Sequence, residues 1–234
     1  MRLRLPEERP TEPPTGYKIA YPVLSQDGTR AGFTGVSLGG ALPYGVVDEA
    51  SCVYGRRHRA PHRRCDCGFH CVYESSVAEA MLCTAEHRAA VLLEVSVLGA
   101  YIRFERGFRY ARQRVRSAGV GPCGCGAAAA ALADAGWGRP GRRVLTTACV
   151  SCVRGRTSLS LASFARLAGE GLRVRAVGGA VAGVEGFEGA TAGPGDATTG
   201  LGVAELVAEA ALLQARLDWF QGQLGRLHDR GTQG

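Results

Sequence analysis

Lysine is nearly missing from this 234-residue chain: Lys18 is the only one, and the other 27 basic residues are arginine. Together with 34 glycines and long alanine runs, this bias marks a GC-rich coding sequence. The formal charge of +7 is therefore partly composition, although clustered guanidinium groups still favour a phosphate-bearing partner. Long apolar runs are missing too. No stretch of about eighteen apolar residues is present to cross a bilayer as a helix, and residues 1–10 lack the apolar core of a secretory leader. A cytoplasmic protein is the expectation. Common catalytic signatures are also absent. There is no Walker lysine, dinucleotide fingerprint or His-Glu-x-x-His, and no specified serine, histidine and acid arrangement or apolar carboxylate pair. These absences turn the reading away from an enzyme.

Cysteine is abundant. Nine cysteines, an odd total in a reducing compartment, fit thiolate ligands plus a spare better than a disulfide framework. Residues 52–71 hold four cysteines and three histidines. Within them Cys65-Asp66-Cys67-Gly68 reads as a knuckle, in which a positive φ at Gly68 lets backbone amides approach the sulfurs. Cys52 and His58 complete a tetrahedral site of three thiolates and one imidazole. His62, His70 and Cys71 compete for the same place, and an iron–sulfur cluster on Cys52, Cys65, Cys67 and Cys71 is the alternative. A second constellation pairs Cys123 and Cys125 with Cys149 and Cys152, the pattern of a four-thiolate zinc site. Four thiolates leave no open coordination position, so two structural Zn2+ ions are expected. Cys83 is the spare, read as a small buried apolar group.

Periodicity supplies the rest of the layout. Residues 1–16, with four prolines, read as a disordered arm. Residues 17–118 read as a strand-rich zinc domain, a small antiparallel sheet or barrel. Short strands are expected around 19–24, 35–38 and 44–47, a helix over 77–87 capped by Ser76, and antiparallel strands over 91–97, 101–105 and 108–111 with a turn at Arg106-Gly107. Residues 119–177 form the four-cysteine module. Its expected elements are a helix over 127–135 closed by Gly136, a second helix over 159–167 and a strand over 172–177. Residues 178–202 read as a Gly-rich linker. Over 203–230, Val203, Leu206, Ala210, Leu213, Leu217, Phe220, Leu224 and Leu227 recur at alternating spacings of three and four, the seam of a coiled-coil helix that predicts a homo-oligomer. The fold class is α+β.

The run His58-Arg59-Ala60-Pro61 through Cys65-Asp66-Cys67-Gly68-Phe69, followed by Leu98-Gly99 and 105–111, resembles a group of uncharacterised actinobacterial proteins. In that group a cysteine, a His-x-x-Pro, a Cys-x-Cys-Gly and a Gly-aromatic-Arg-Ala segment recur in that order. The likeness covers roughly residues 50–115 and implies Cys52, His58, Cys65 and Cys67 as the ligand quartet. The chain departs from it at His70 and Cys71, where the group has an aromatic and a small residue. The resemblance implies no activity.

Segment 101–112 interleaves Tyr101, Phe104, Phe108 and Tyr110 with Arg103, Arg106, Arg109 and Arg112, the mixture that stacks single-stranded bases and holds their phosphates. Tyr101, Arg103, Arg106, Arg109 and Arg112 are the candidate nucleic-acid contacts. The alternative puts the aromatics on the inner face of a sheet. The functional expectation is a non-enzymatic zinc-binding interaction or regulatory protein with a nucleic-acid or protein partner. A zinc enzyme, with water as one ligand of the first site and His62 or His70 as acid–base group, is the alternative from another class.

Overall fold

The computed structural model describes residues 12–36 and 42–177. The expected linker at 178–202, the heptad helix at 203–230 and most of the expected arm lie outside the described residues. Among those described, strands dominate: β1 (Thr15–Ser25), β2 (Ala31–Gly35), β3 (Pro43–Tyr44), β4 (Val47–Glu49), β5 (Phe69–Val72), β6 (Val91–Phe104), β7 (Gly107–Val120), β8 (Ala131–Arg139), β9 (Arg142–Ala148), β10 (Ser158–Ser160) and β11 (Arg173–Ala176). Two helices accompany them, α1 (Ser75–Leu82) and α2 (Leu161–Ala168).

All the strands belong to one sheet, and only β11, beside β7, is parallel to its neighbour. The centre is the β6–β7 hairpin, two strands of 14 residues joined by Glu105-Arg106. Alternating burial along Val91–Val95 places the Val91, Leu93 and Val95 side chains inside, as a pleated strand with one covered face requires. Gly107 begins β7 rather than closing the turn. A Cβ there would collide with the Cys71 carbonyl, because β5 lies directly against the start of β7. β1 pairs with β6, β6 with β7, β7 with β5, and β5 returns to β1 through Val72 and Tyr17, so the pairing closes on itself. The C-terminal half of β1 passes to β9, which carries β8 and β10.

β7 runs through residue 118, and one core takes side chains from both sides of it: Phe33, Leu93, Tyr110 and Val115 pack with Leu132, Leu145 and Phe164. Phe164, on α2, is 1% exposed and meets the Phe33 ring edge-on at 5.6 Å. The helix starts at Ser160, whose hydroxyl accepts the Ser163 N–H at 3.0 Å, a side-chain N-cap. Within the core the Tyr110 hydroxyl donates to Gln113 Oε1 at 2.9 Å.

Several expectations need correction. Residues 131–139 form strand β8, not part of a helix over 127–135. Helix propensity in the alanine run yields to ladders with β9 and β10, and Gly136, at φ 80°, lies in a register irregularity between Asp134 and Gly138. α1 ends at Leu82 and takes Glu74 as its N-cap residue; Ser76 lies inside it and donates to Glu74. Cys83 is exposed rather than buried. Near the N-terminus the second strand occupies Ala31–Gly35, earlier than expected.

Candidate metal centres

The first site is built on the loop between β4 and β5, and both ends of that loop are moored to β7. β4 pairs with Arg112–Arg114 and β5 with Gly107–Tyr110. Inside the loop the amides of Gly55 and Cys65 donate to Cys52 and His62 carbonyls at 3.1 and 3.0 Å. Gly68 has φ 126°, and a Cβ there would crowd the Tyr110 carbonyl and the Arg109 and Pro61 side chains. The knuckle glycine is thus required both for its backbone conformation and for space.

The ligand atoms of Cys52, His58, Cys65 and Cys67 all lie within 4.8 Å of one another. Cys52 and Cys65 sulfurs are 3.8 Å apart, and His58 Nε2 is 3.2 Å from the Cys67 sulfur. A tetrahedron with metal–sulfur bonds of 2.3 Å has edges of about 3.8 Å, so the spacing suits one metal ion. Cys65 and Cys67 are buried, Cys52 and His58 half-buried. Burial, with His62 and Arg56 adding to it, holds the His58 imidazole below its ordinary pKa and favours the neutral, ligating form.

The competitors are placed elsewhere. His62 stacks on His58 at 4.5 Å between ring centroids, while its Nδ1 accepts the Arg64 amide. His70 is exposed on β5. Cys71 is buried in the main core, where burial pushes its thiol up to about 11.

Arg109 is the contact that sequence reasoning misassigned. Expected at the surface, it is 5% exposed. It donates to the Cys65 carbonyl at 2.6 Å and the His62 carbonyl at 3.3 Å, and its guanidinium lies 3.4 Å from the Asp66 carboxylate. A strand side chain therefore fastens the metal loop to the sheet. Of the other expected nucleic-acid contacts, Arg103, Arg106 and Arg112 are exposed, whereas Tyr101 is half-buried with its ring edge-on to Phe108 at 5.4 Å. Phe108 and Tyr110 are core residues, so the inner-face alternative holds for them; Phe104 is half-exposed. No signal in the sequence marked Arg109 for this role, because its place on β7 opposite His70 is a register set only when β5 and β7 pair.

The second site joins two strand ends. Cys123 and Cys125 follow β7, and Cys149 and Cys152 follow β9. A turn closed by Gly126 N–H on the Cys123 carbonyl at 2.7 Å shapes the first knuckle, and Val153 N–H on the Cys149 carbonyl at 3.0 Å shapes the second. Thr147 ties the two together by donating to the Pro122 carbonyl at 3.1 Å. The four sulfurs lie within 4.8 Å, with Cys125 and Cys149 3.6 Å apart. Hydrogen bonds from the Cys125 and Cys149 backbone hold the Cys123 thiol down to about 6, the expected effect of amides aimed at a thiolate. Crowding by Cys149, Cys125 and Cys123 pushes Cys152 up to about 12. Four thiolates at this separation repel, and a divalent cation among them reverses that balance.

Two groups of four Cys/His side chains are thus preassembled at metal-binding distance. No helix among the described residues is long and apolar enough to cross a membrane. No family model, curated protein or solved structure matches this chain.

Proposed function

We propose that the chain is a non-enzymatic interaction protein, stapled by two structural Zn2+ ions, whose partner is a nucleic acid. The observation that carries the zinc assignment is that each group supplies four N or S ligands converging within 4.8 Å. That separation suits one tetrahedral ion rather than an iron–sulfur cluster, and four protein ligands leave no coordination position for substrate. Both ions then serve the scaffold, one fixing a loop and the other clamping two strand ends.

Support for the partner comes from the turn of the β6–β7 hairpin. A groove of about 550 Å3 opens there among Thr15, Tyr73, Arg103, Phe104 and Phe108. Half-exposed Phe104, whose ring carries the Arg109 guanidinium at 5.4 Å, lines the groove with Arg103 and Glu105 and offers a stacking face, and Arg106 in the adjoining turn is exposed. Self-association through residues 203–227 and a cytoplasmic location belong to the same reading.

Elemental mass spectrometry on protein purified without added metal tests the first part. Two zinc per chain are expected, and one in each of Cys65→Ser and Cys149→Ser; iron with visible colour, or no metal, overturns it. For the second part, binding of a fluorescent single-stranded oligonucleotide should fall steeply with salt and weaken in Arg103→Ala with Arg106→Ala. Unchanged binding in that pair removes this hairpin from the interface.

A further inference from the structure

A second groove, of about 570 Å3, lies at the tip of the β8–β9 hairpin, outside the 101–112 segment and both metal groups. Three arginines, Arg139, Arg142 and Arg143, line it together with Trp137. Asp134 is the one carboxylate among the lining residues. It stands 3.5 Å from Arg143 and accepts the Gly136 amide at 2.8 Å. Arg139 and Arg142 are direct cross-strand partners, which sets two guanidinium groups at one edge of the groove. Burial, then the charge of Arg139, lowers the pKa of Arg142.

The aromatic side of the groove is also organised. Trp137 is half-exposed. Its ring is braced edge-on by Tyr21 at 5.2 Å, and Tyr21 in turn meets the His87 ring at 6.4 Å. Tyr21 is held by donating its hydroxyl to the Glu86 carbonyl at 3.1 Å. The register irregularity between Asp134 and Gly138 carries Trp137, and such irregularities re-aim side chains off the regular pleat. Gly138 permits it, because a Cβ there would collide with the Arg142 carbonyl. A large indole, fixed by a neighbouring ring and set beside an arginine pair, has the form of a stacking platform with a phosphate seat.

We propose that the groove at the tip of the β8–β9 hairpin binds single-stranded nucleic acid, with a base stacked on Trp137 and a backbone phosphate between Arg139 and Arg142. This site is separate from the proposed surface at the β6–β7 turn and stands or falls without it. A free nucleotide offers the same base and phosphate, so the test distinguishes the two.

The test uses the full zinc-loaded chain in a Trp219→Phe background, which leaves Trp137 as the only indole. A labelled single strand of about 12 nucleotides is titrated by anisotropy while indole fluorescence is followed. Indole quenching should accompany binding. Trp137→Ala should weaken binding by about 5- to 150-fold, the range for losing one stacked base. Arg139→Gln with Arg142→Gln should weaken it and reduce the slope of log affinity against log salt by about one unit. Circular dichroism and metal content should stay at wild-type values, since the substituted side chains lie at the hairpin tip. Unchanged affinity and slope in both hairpin variants overturn the proposal, as does failure of the strand to bind at about 50 mM salt. Equal affinity for a mononucleotide and the strand replaces it with a small-nucleotide site, and preference for a duplex overturns the single-strand assignment.

Discussion

The two four-ligand groups reach the same geometry by opposite routes. The first is assembled inside one loop, with ligands at 52, 58, 65 and 67, and the sheet only backs it through Arg109. The second is divided between the ends of β7 and β9, strands that do not pair with each other, so it exists only because the rest of the fold, through β1 beside β9 and β6 beside β7, brings those ends together. Ligand charge differs too: three thiolates and a neutral imidazole leave a divalent ion with one net negative charge, and four thiolates leave two. Exposure follows the same division. Cys125 and Cys152 are exposed, whereas no sulfur of the first site is. A loop site trades on local chain geometry and a split site on tertiary contacts, and the two should fail differently.

The largest expected effect is that of Cys149→Ser. It should release one metal and also unfasten the β7 and β9 ends, lowering the urea midpoint by much more than Cys65→Ser does. The upper bound is the binding energy of a structural zinc, on the order of 10 kcal/mol in small zinc modules. Equal losses in the two variants would break the distinction between a local and a split site.

Next is Phe164→Ala. Phe164 fills the core shared by Phe33, Leu132 and Leu145, and the cavity should cost about 4 kcal/mol in equilibrium unfolding. Because β8 and β9 supply part of that core, the second metal should become easier to extract by chelator than the first. Retention of both metals at wild-type rates would mean the split site does not draw on the core.

Arg109→Ala sharpens the comparison from the other side. It removes the donors to the Cys65 and His62 carbonyls, so metal affinity at the first site should fall by about 10- to 100-fold, while the second is untouched. Competition with a chromogenic chelator, run on Cys65→Ser and Cys149→Ser backgrounds, separates the two.

The smallest effect belongs to neither site and serves as a control. The half-buried Lys18 amine lies 4.8 Å from the Tyr44 ring centroid and 5.0 Å from that of Phe69. Burial lowers its pKa from 10.5 to about 8. Below pH 8 the charged amine costs stability in full, and the cost fades as pH rises toward 10.5. Lys18→Met should therefore stabilise the fold at pH 7 by on the order of 1–3 kcal/mol, with a gain that shrinks above pH 8 and no change in metal content. As the chain has one lysine, reductive 13C-methylation gives one lysine resonance, whose titration midpoint should lie near 8. A midpoint near 10.5 would show that the amine stays in water.

Legibility in the sequence follows the same local and split division. The Cys65-Asp66-Cys67-Gly68 knuckle was readable because its requirement, a positive φ beside two close thiols, is met within four residues, and Gly68 has φ 126°. The β6 and β7 strands were readable from their β-branched and aromatic content. The 131–139 strand was not, since alanine favours a helix unless strands on either side claim its backbone. Arg109 was misread because an arginine between aromatics has the same local signature whether it faces water or a loop laid over the sheet.

By itself, then, the sequence determined the ligand chemistry, the spacing of the cysteine pairs, the strand-forming centre and the near-absence of lysine, all properties of residues close together along the chain. Only the tertiary structure decided that His58 joins the first group while His62, His70 and Cys71 stay out, that Arg109 serves the loop, and that Trp137 stands beside a cross-strand arginine pair. Each of those depends on which strands lie against one another, and strand pairing is set by contacts between residues far apart in sequence.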